Sequence, residues 1–127
     1  MEDFIDYKTA LLAKEKGLDL ESNYFREQEE GQPDYDDSCE NWNLYDGYCT
    51  IITKNNLQKW LREKHNFHIV VNVGLPHKWD KIGYYSNVIK FGKHHKNKYR
   101  SEFFKTYEEA LEVGLHECLQ MVSETVA

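Results

Sequence analysis

The sequence predicts an α+β domain in which helices cover one face of a small antiparallel sheet of about three strands. Two observations predict this class: apolar residues recur at helical spacing in three segments, and they alternate at period two after residue 66. A chain of 127 residues suits one domain with a buried core. We therefore expect residues 1–127 to form a single unit with the order α-(β)-α-β-β-α.

The first helix is predicted over residues 3–17. Asp3 is its candidate N-cap, and Gly17 followed by Leu18 is typical of a helix that closes with a Schellman motif. Residues 21–29 favour a strand, although they alternate poorly. Residues 29–41 contain Gly, Pro and acids without periodicity and predict an exposed acidic loop.

The approach to the middle helix is less regular. Asp46-Gly47 is a turn signal, which is compatible with a small hairpin or with an irregular run. Trp42 lies beside the acidic loop, and we expect it to face a partner, because an aromatic residue among polar residues is typical of a contact surface.

The best-specified segment runs from Thr53 to Val73. Thr53 is the candidate N-cap of a helix, and Asn66 is a candidate left-handed stop. Period-two alternation then predicts a strand over 67–73, and a second strand is predicted over 81–91, antiparallel to the first, with a bulge near residues 86 and 87.

The carboxyl-terminal part of the sequence predicts a basic hairpin region around 90–100, a short third strand at 101–104 and a final helix. Thr106 and Glu109 form a capping box for that helix. Its apolar face consists of Leu111, Gly114, Leu115, Cys118, Leu119 and Val122. Gly114 lies on this face, where a missing side chain lets another element approach closely or is simply tolerated.

The net charge of −6 conceals a segregation of charges. Residues 19–40 contain nine acids and one Arg, whereas residues 54–100 contain eleven Lys and Arg and two acids. The basic middle can present a cationic face to an anion. The candidate anion-binding or partner-binding residues are Lys90, Lys93, His94, His95, Lys96, Lys98, Tyr99 and Arg100.

Catalytic chemistry has little support in the sequence. Walker, dinucleotide-binding, zinc-protease, zinc-finger, KH and RNP signatures are absent. The three cysteines have no metal-knuckle spacing and are expected to be reduced thiols. We expect no cofactor, no metal and no catalytic residues. Nucleic acid binding is compatible with the charge but has no motif to support it.

No apolar run is long enough to span a bilayer, and the amino terminus lacks the pattern of a signal peptide. These features predict a cytoplasmic protein without a membrane partner. The sequence does not indicate an oligomeric state.

Three segments, FIDYKTALLAKEKG, TKNNLQKWLREKHNFHIVV and TYEEALEVGLHECLQMV, together resemble a widespread family of small uncharacterised proteins of tailed phages and Bacteroidetes prophages. The chain departs from that family throughout the hairpin region and at Ile51, Ile52 and Thr53, where members of the family have a PTQ-like sequence. The resemblance implies a phage accessory protein in the cytoplasm of a bacterial host. We expect a non-enzymatic protein that binds a host component, with counter-defence as one such role. The alternative is a protein that sequesters a small anionic nucleotide signal on its basic and aromatic surface.

Overall fold

A computed structural model describes residues 3–76, 78–91 and 96–122. This part of the chain contains three α-helices and two three-stranded antiparallel sheets. The helices are α1 (Tyr7–Glu15), α2 (Lys54–His65) and α3 (Tyr107–Met121). The first sheet consists of β1 (Ser22–Arg26), β2 (Asp34–Glu40) and β3 (Cys49–Ile51), and the second of β4 (Phe67–Gly74), β5 (Gly83–Lys90) and β6 (Lys96–Arg100). The predicted α+β class is confirmed, with one more sheet than predicted.

Helix α1 begins four residues later than predicted. Its N-cap is Asp6, whose carboxylate accepts a hydrogen bond from the Thr9 amide at 2.8 Å. The preceding residues are not helical, because the carbonyl of Asp3 accepts from the Lys54 amide at 2.9 Å. The predicted end is confirmed: Gly17 has a φ of 86°, and the amide of Leu18 donates to the carbonyl of Ala13, as a Schellman motif requires.

The first sheet has the order β2-β1-β3 and occupies the region where the sequence was least regular. The prediction of an acidic loop over 29–41 is therefore wrong for residues 34–40, which form the edge strand β2. This strand is exposed on almost every residue, so it has no alternation to reveal it. Its pairing with β1 shifts register, and the side-chain amide of Asn23 donates to the carbonyl of Asp36 at 3.0 Å within that irregularity.

Trp42 is buried within the domain rather than exposed on a contact surface, which corrects the prediction. It lies in a 3₁₀ turn over Trp42–Leu44 and is only 8% exposed. Its ring stacks on Phe25 with a centroid distance of 4.3 Å, and its indole N–H donates to the carbonyl of Ser22 at 2.7 Å. The turn brings this aromatic side chain back over β1.

The middle of the chain folds as predicted. The Thr53 hydroxyl accepts from the Asn56 amide at 3.1 Å, and Asn66 ends α2 with a φ of 58°. Strands β4 and β5 pair in unbroken register from Phe67 opposite Lys90 to Gly74 opposite Gly83. The predicted bulge at residues 86 and 87 is thus not in this pairing.

The irregularity lies instead between β5 and β6. Val88 pairs with Tyr99 and Ile89 with Asn97, so Lys98 is the extra residue of a bulge. Strand β6 begins five residues before the predicted third strand at 101–104 and occupies part of the region predicted as a basic hairpin tip. Farther along, Phe104 forms an isolated bridge with Tyr84.

Helix α3 packs against β4 and β5 and supplies much of the core. The Thr106 hydroxyl accepts from the Glu109 amide at 3.1 Å, which confirms the predicted cap. The predicted apolar face is buried, including Gly114. A Cβ at Gly114 would lie 2.9 Å from Cγ2 of Ile69 and 2.9 Å from Oγ of Ser86. The structure thus confirms that strands β4 and β5 approach α3 closely at Gly114, which was one of the two interpretations of this glycine.

The second sheet has two unlike faces. We call the side that packs against α3 the inner face; it carries the buried Phe67, Ile69, Ser86 and Val88. We call the opposite side the outer face. By register and alternation the outer face carries His68, Val70, Asn72, Tyr85, Asn87, Ile89, Phe91 and Arg100. Each of these residues is half-buried or exposed, and within the described residues no helix covers this face.

Candidate binding surface

A row of aromatic side chains crosses the end of the outer face. The Trp79 and Phe103 ring centroids are 6.1 Å apart, and those of Phe103 and Tyr85 are 5.2 Å apart. The guanidinium of Arg100 lies 4.4 Å from the centroid of Tyr85 and completes the row. We call these four residues the aromatic platform. Cation-π contact with Tyr85 orients the Arg100 side chain while the residue stays exposed.

Two glycines make room for the aromatic platform. A Cβ at Gly83 would lie 2.6 Å from Cζ3 of Trp79, and a Cβ at Gly74 would lie 2.9 Å from Cε1 of Phe103. Both distances are below ordinary van der Waals contact, so any larger residue would displace the rings. Because Gly74 and Gly83 pair with each other across β4 and β5, the rings lie directly on the last rung of this hairpin.

The same end of the hairpin exposes large apolar side chains. Val73 is 61% exposed, Leu75 is 70% exposed and Ile82 is 55% exposed. Lys81 and Lys105 line a hollow together with Ile82, and Lys78 is exposed in the same connection between β4 and β5. Clustered apolar residues with a polar rim are characteristic of a surface that contacts another protein.

The described residues of the predicted set lie on opposite sides of the sheet. Arg100 is on the outer face, whereas Lys90 is on the inner side, where its ammonium donates to the carbonyl of His65 and lies 4.3 Å from the centroid of Phe67. Tyr99 pairs with Val88 and packs against the core, so it also points inward. Burial, followed by the charges of Glu117 and Glu102, raises the pKa of Tyr99. The sequence grouped these residues as one surface, but the pleat of the sheet separates them.

A hollow of about 510 Å³ lies on the inner side, beyond the carboxyl end of α3. It is lined by His65, Phe67, Lys90, Lys98, Met121 and Val122. Burial, with the nearby charge of Lys90, lowers the pKa of His65. In the described part of the chain both ion pairs involve Lys54, so neither Lys90 nor Lys98 is neutralised by an ion pair there. We call this feature the lysine hollow.

The rest of the predicted set consists of Lys93, His94, His95 and Lys96. Lys93, His94 and His95 lie outside the described residues. Lys96 belongs to β6 and pairs with Lys90 in register, which places it at the same end of the sheet. Its side chain is not among those described.

Sequence reasoning missed a partly buried polar cluster that joins all three helices. Oε1 of Glu112 accepts from the Asp6 amide at 3.0 Å and from the Thr9 hydroxyl at 2.9 Å. Its other oxygen lies 3.8 Å from the ammonium of Lys54, which also lies 3.3 Å from a carboxylate oxygen of Asp3. No sequence spacing could have revealed this cluster, because Glu112 is 106 residues from Asp6 and 103 from Thr9, and Lys54 comes from a third helix.

Burial, reinforced by the neighbouring Asp6, raises the pKa of Glu112 to about 7. Asp6 behaves in the opposite way: burial opposes its charge, but the hydrogen bonds from Thr9 and the contact with Glu112 lower its pKa overall. An adjacent hollow of about 350 Å³ is lined partly by Glu108, Glu109 and Phe104. The hydrogen bonds and the ion pair of Glu112 all lead to other parts of the same domain, so we interpret the cluster as a link between the helices.

The cysteines do not form a reactive centre. Cys49 and Cys118 are buried, and burial raises the pKa of both thiols, that of Cys118 to about 12. Cys39 is free and exposed on β2. Among residues 3–76, 78–91 and 96–122, no group of three or more His, Cys, Asp or Glu side chains is arranged to hold a metal ion.

Comparison with known proteins identifies no relative. No protein-family model matches the chain, and neither a curated protein nor a solved structure matches it significantly. None of the helices in the described residues is both long and apolar enough to cross a bilayer.

Proposed function

We propose that this chain is a non-enzymatic binding protein whose contact surface is the outer face of the second sheet, centred on the aromatic platform. The partner is a protein of a bacterial host. The observation that carries the proposal is the row of Trp79, Phe103, Tyr85 and Arg100, in which the three rings are half-buried and Arg100 is exposed. Trp, Tyr and Arg are the residue types that most often dominate the energy of protein interfaces.

Exposed apolar residues strengthen the case for a macromolecular partner over a small ligand. On the outer face Val70 is 40% exposed, and at the hairpin end Leu75 and Ile82 are 70% and 55% exposed, whereas Val73 pairs with Tyr84 and lies on the inner side of the sheet. A surface of this kind gains free energy mainly by excluding water over a broad area, which requires a large partner. The resemblance of three segments to phage and prophage proteins is the reason for placing that partner in a bacterial cytoplasm, where counter-defence is one role for such a protein.

The proposal predicts a result for a platform variant. In Tyr85→Ala/Arg100→Ala, a host protein retained from lysate by the immobilised wild-type chain should bind at least tenfold more weakly, because each such residue contributes about 1.4 kcal/mol or more at an interface centre. Quantitative mass spectrometry of the retained proteins measures this loss.

The matched control is Lys8→Ala/Lys59→Ala, which alters two exposed residues on α1 and α2. It should retain the same host protein as the wild type. Melting temperatures of both variants establish that folding is intact. An unchanged set of retained proteins in the platform variant would contradict the proposal.

A second candidate function, sequestration of an anionic nucleotide, is favoured by the lysine hollow alone. Its volume of about 510 Å³ lies within the range of small-molecule sites, and Lys90, Lys98 and the Phe67 ring offer cations beside an aromatic surface. The carboxyl termini of α2 and α3 make nucleotide binding less favourable. Their last residues, His65 and Met121, line the hollow, and the negative end of a helix dipole repels an anion. The protein-binding proposal therefore comes first.

Thermal shift with a panel of nucleotides tests the second function. If it is correct, a nucleotide at a hundred times its dissociation constant should stabilise the fold by about 2.7 kcal/mol. Replacing Lys93, Lys96, Lys98 and Arg100 together by Ser should abolish that shift with little change in the melting temperature of the free protein. Single variants then separate the two sides of the sheet: Lys98→Ser should reduce the shift, and Arg100→Ser should preserve it. If a nucleotide still raises the melting temperature of the variant with four substitutions, the nucleotide does not bind at this site.

A further inference from the structure

A hollow of about 590 Å³ lies next to the aromatic platform, at the tip of the β4–β5 hairpin. It is lined by Trp79, Asp80, Lys81, Ile82 and Lys105. Its two apolar walls are the indole of Trp79 and the exposed side chain of Ile82. The Trp79 indole is held against Gly83 and Phe103, so this wall is fixed by the sheet beneath it.

The charges around this hollow are unbalanced. Lys81 and Lys105 line it and Lys78 lies close by in sequence, whereas Asp80 is its only acidic lining residue. None of these three lysines forms an ion pair with a described carboxylate, since both ion pairs recorded in that part of the chain involve Lys54. The hollow thus combines two apolar walls with an excess of positive charge that no ion pair among the described residues neutralises.

We propose that this hollow accepts an apolar side chain of the partner protein, from a segment in which acidic residues flank that side chain. The inference rests on the proposed function and specifies its partner. Burying one leucine-sized side chain between Trp79 and Ile82 removes apolar surface from water on both sides. Carboxylates on either side of the anchor then reach Lys81 and Lys105, which orient the segment and raise its association rate.

The size of the hollow agrees with a single anchor. A hydrophobic side chain fills only part of about 590 Å³, which leaves room for the flanking backbone beside Lys81 and Lys105. A free nucleotide fits this arrangement less well, because the exposed Ile82 and the neighbouring Leu75 would then remain in water. Charge and apolar exposure together therefore favour an acidic peptide segment.

The test uses NMR of the full-length, ¹⁵N-labelled chain with three blocked pentapeptides. The first has a leucine between two pairs of glutamates, the second has alanine in place of leucine, and the third has lysines in place of the glutamates. The indole signal of Trp79 and the amide signal of Ile82 should shift with the first peptide. The alanine peptide should bind at least tenfold more weakly, because it lacks most of the buried apolar surface. The lysine peptide should cause no shift.

Two variants of the protein complete the test. Lys81→Gln/Lys105→Gln should weaken the leucine peptide severalfold, and the wild-type affinity should fall with added salt, since the contacts are exposed and screened. Lys8→Gln/Lys59→Gln carries the same change of charge on the helices and should leave the affinity unchanged. Equal affinity for the leucine and alanine peptides would overturn the apolar anchor, and equal shifts from the lysine peptide would overturn the charge preference.

The outcome separates this inference from the function on which it rests. If the peptides leave Trp79 and Ile82 unaffected while the Tyr85→Ala/Arg100→Ala variant still loses its host protein, the hollow is not the anchor site and the platform remains the contact surface. If that host protein is retained as well, the proposed function fails. Shifts of the same signals by phosphatidylserine vesicles, with none from the peptides, would assign the hairpin tip to a lipid surface instead.

Discussion

Gly114→Ala should destabilise the fold, although alanine is the better helix former. A Cβ at this position would lie 2.9 Å from Cγ2 of Ile69 and 3.0 Å from Cβ of Ser86. Both neighbours have little freedom, because Ile69 is β-branched and Ser86 is fully buried in the central strand of its sheet. Overpacking of this kind costs about 1–3 kcal/mol, whereas the gain in helix propensity is at most about 1 kcal/mol. Urea denaturation gives the difference in free energy of unfolding.

The control for this change is Gln120→Ala, an exposed position of the same helix, which should alter the stability by less than about 0.5 kcal/mol. Ile69→Ala removes one of the two clashing groups. Combined with Gly114→Ala it should cost less than the sum of the two single changes. A Gly114→Ala protein more stable than the wild type would show that α3 is not pressed against β4 and β5.

Glu112 should make the stability of the protein depend on pH in an unusual direction. Its folded-state pKa of about 7 lies above the ordinary value of 4.5, so folding favours the protonated carboxyl. This contribution is fully present below about pH 4.5 and is lost as the pH rises through about 7. A shift of this size corresponds to about 3 kcal/mol. That figure is an upper limit, because the Lys54 ammonium at 3.8 Å favours the charged form.

Comparison with Glu112→Gln isolates this effect. The amide keeps an oxygen for the Asp6 N–H and the Thr9 hydroxyl but does not titrate. The wild type should therefore lose stability relative to the variant between pH 5 and pH 8, measured as the difference in free energy of unfolding at each pH. The exposed Glu63→Gln should produce no such trend. A constant difference between wild type and Glu112→Gln across this range would show that the carboxyl titrates alike in the folded and unfolded chains.

The sequence predicted best where local rules decide the structure. Helix α2, strand β4 and helix α3 have strong caps at Thr53 and Thr106 and clear periodicity, and all three form as expected. Strand β2 was missed because an exposed edge strand buries neither face and so leaves no apolar pattern. Its ladder with β1 is a nonlocal property that composition cannot report.

The binding surface was predicted only in part, for a similar reason. Sequence proximity grouped Lys90, Tyr99 and Arg100, but alternation and the bulge at Lys98 send them to different sides of the sheet. The aromatic platform unites Trp79 and Tyr85 with Phe103, which lies 18 residues after Tyr85, and none of the three was selected as a site residue. Their only sequence signal is the pair of glycines that bound the hairpin, and this signal is meaningful only once the two strands are known to pair.

The unequal accessibility of the three thiols offers a practical route to the partner. Cys49 and Cys118 are buried, whereas Cys39 is exposed on β2. Strand β2 belongs to the first sheet, and the aromatic platform lies on the second sheet. A maleimide dye or photo-crosslinker should therefore attach at a single position and leave the contact residues unmodified. The native chain can accordingly serve as its own labelled bait, without engineered cysteines.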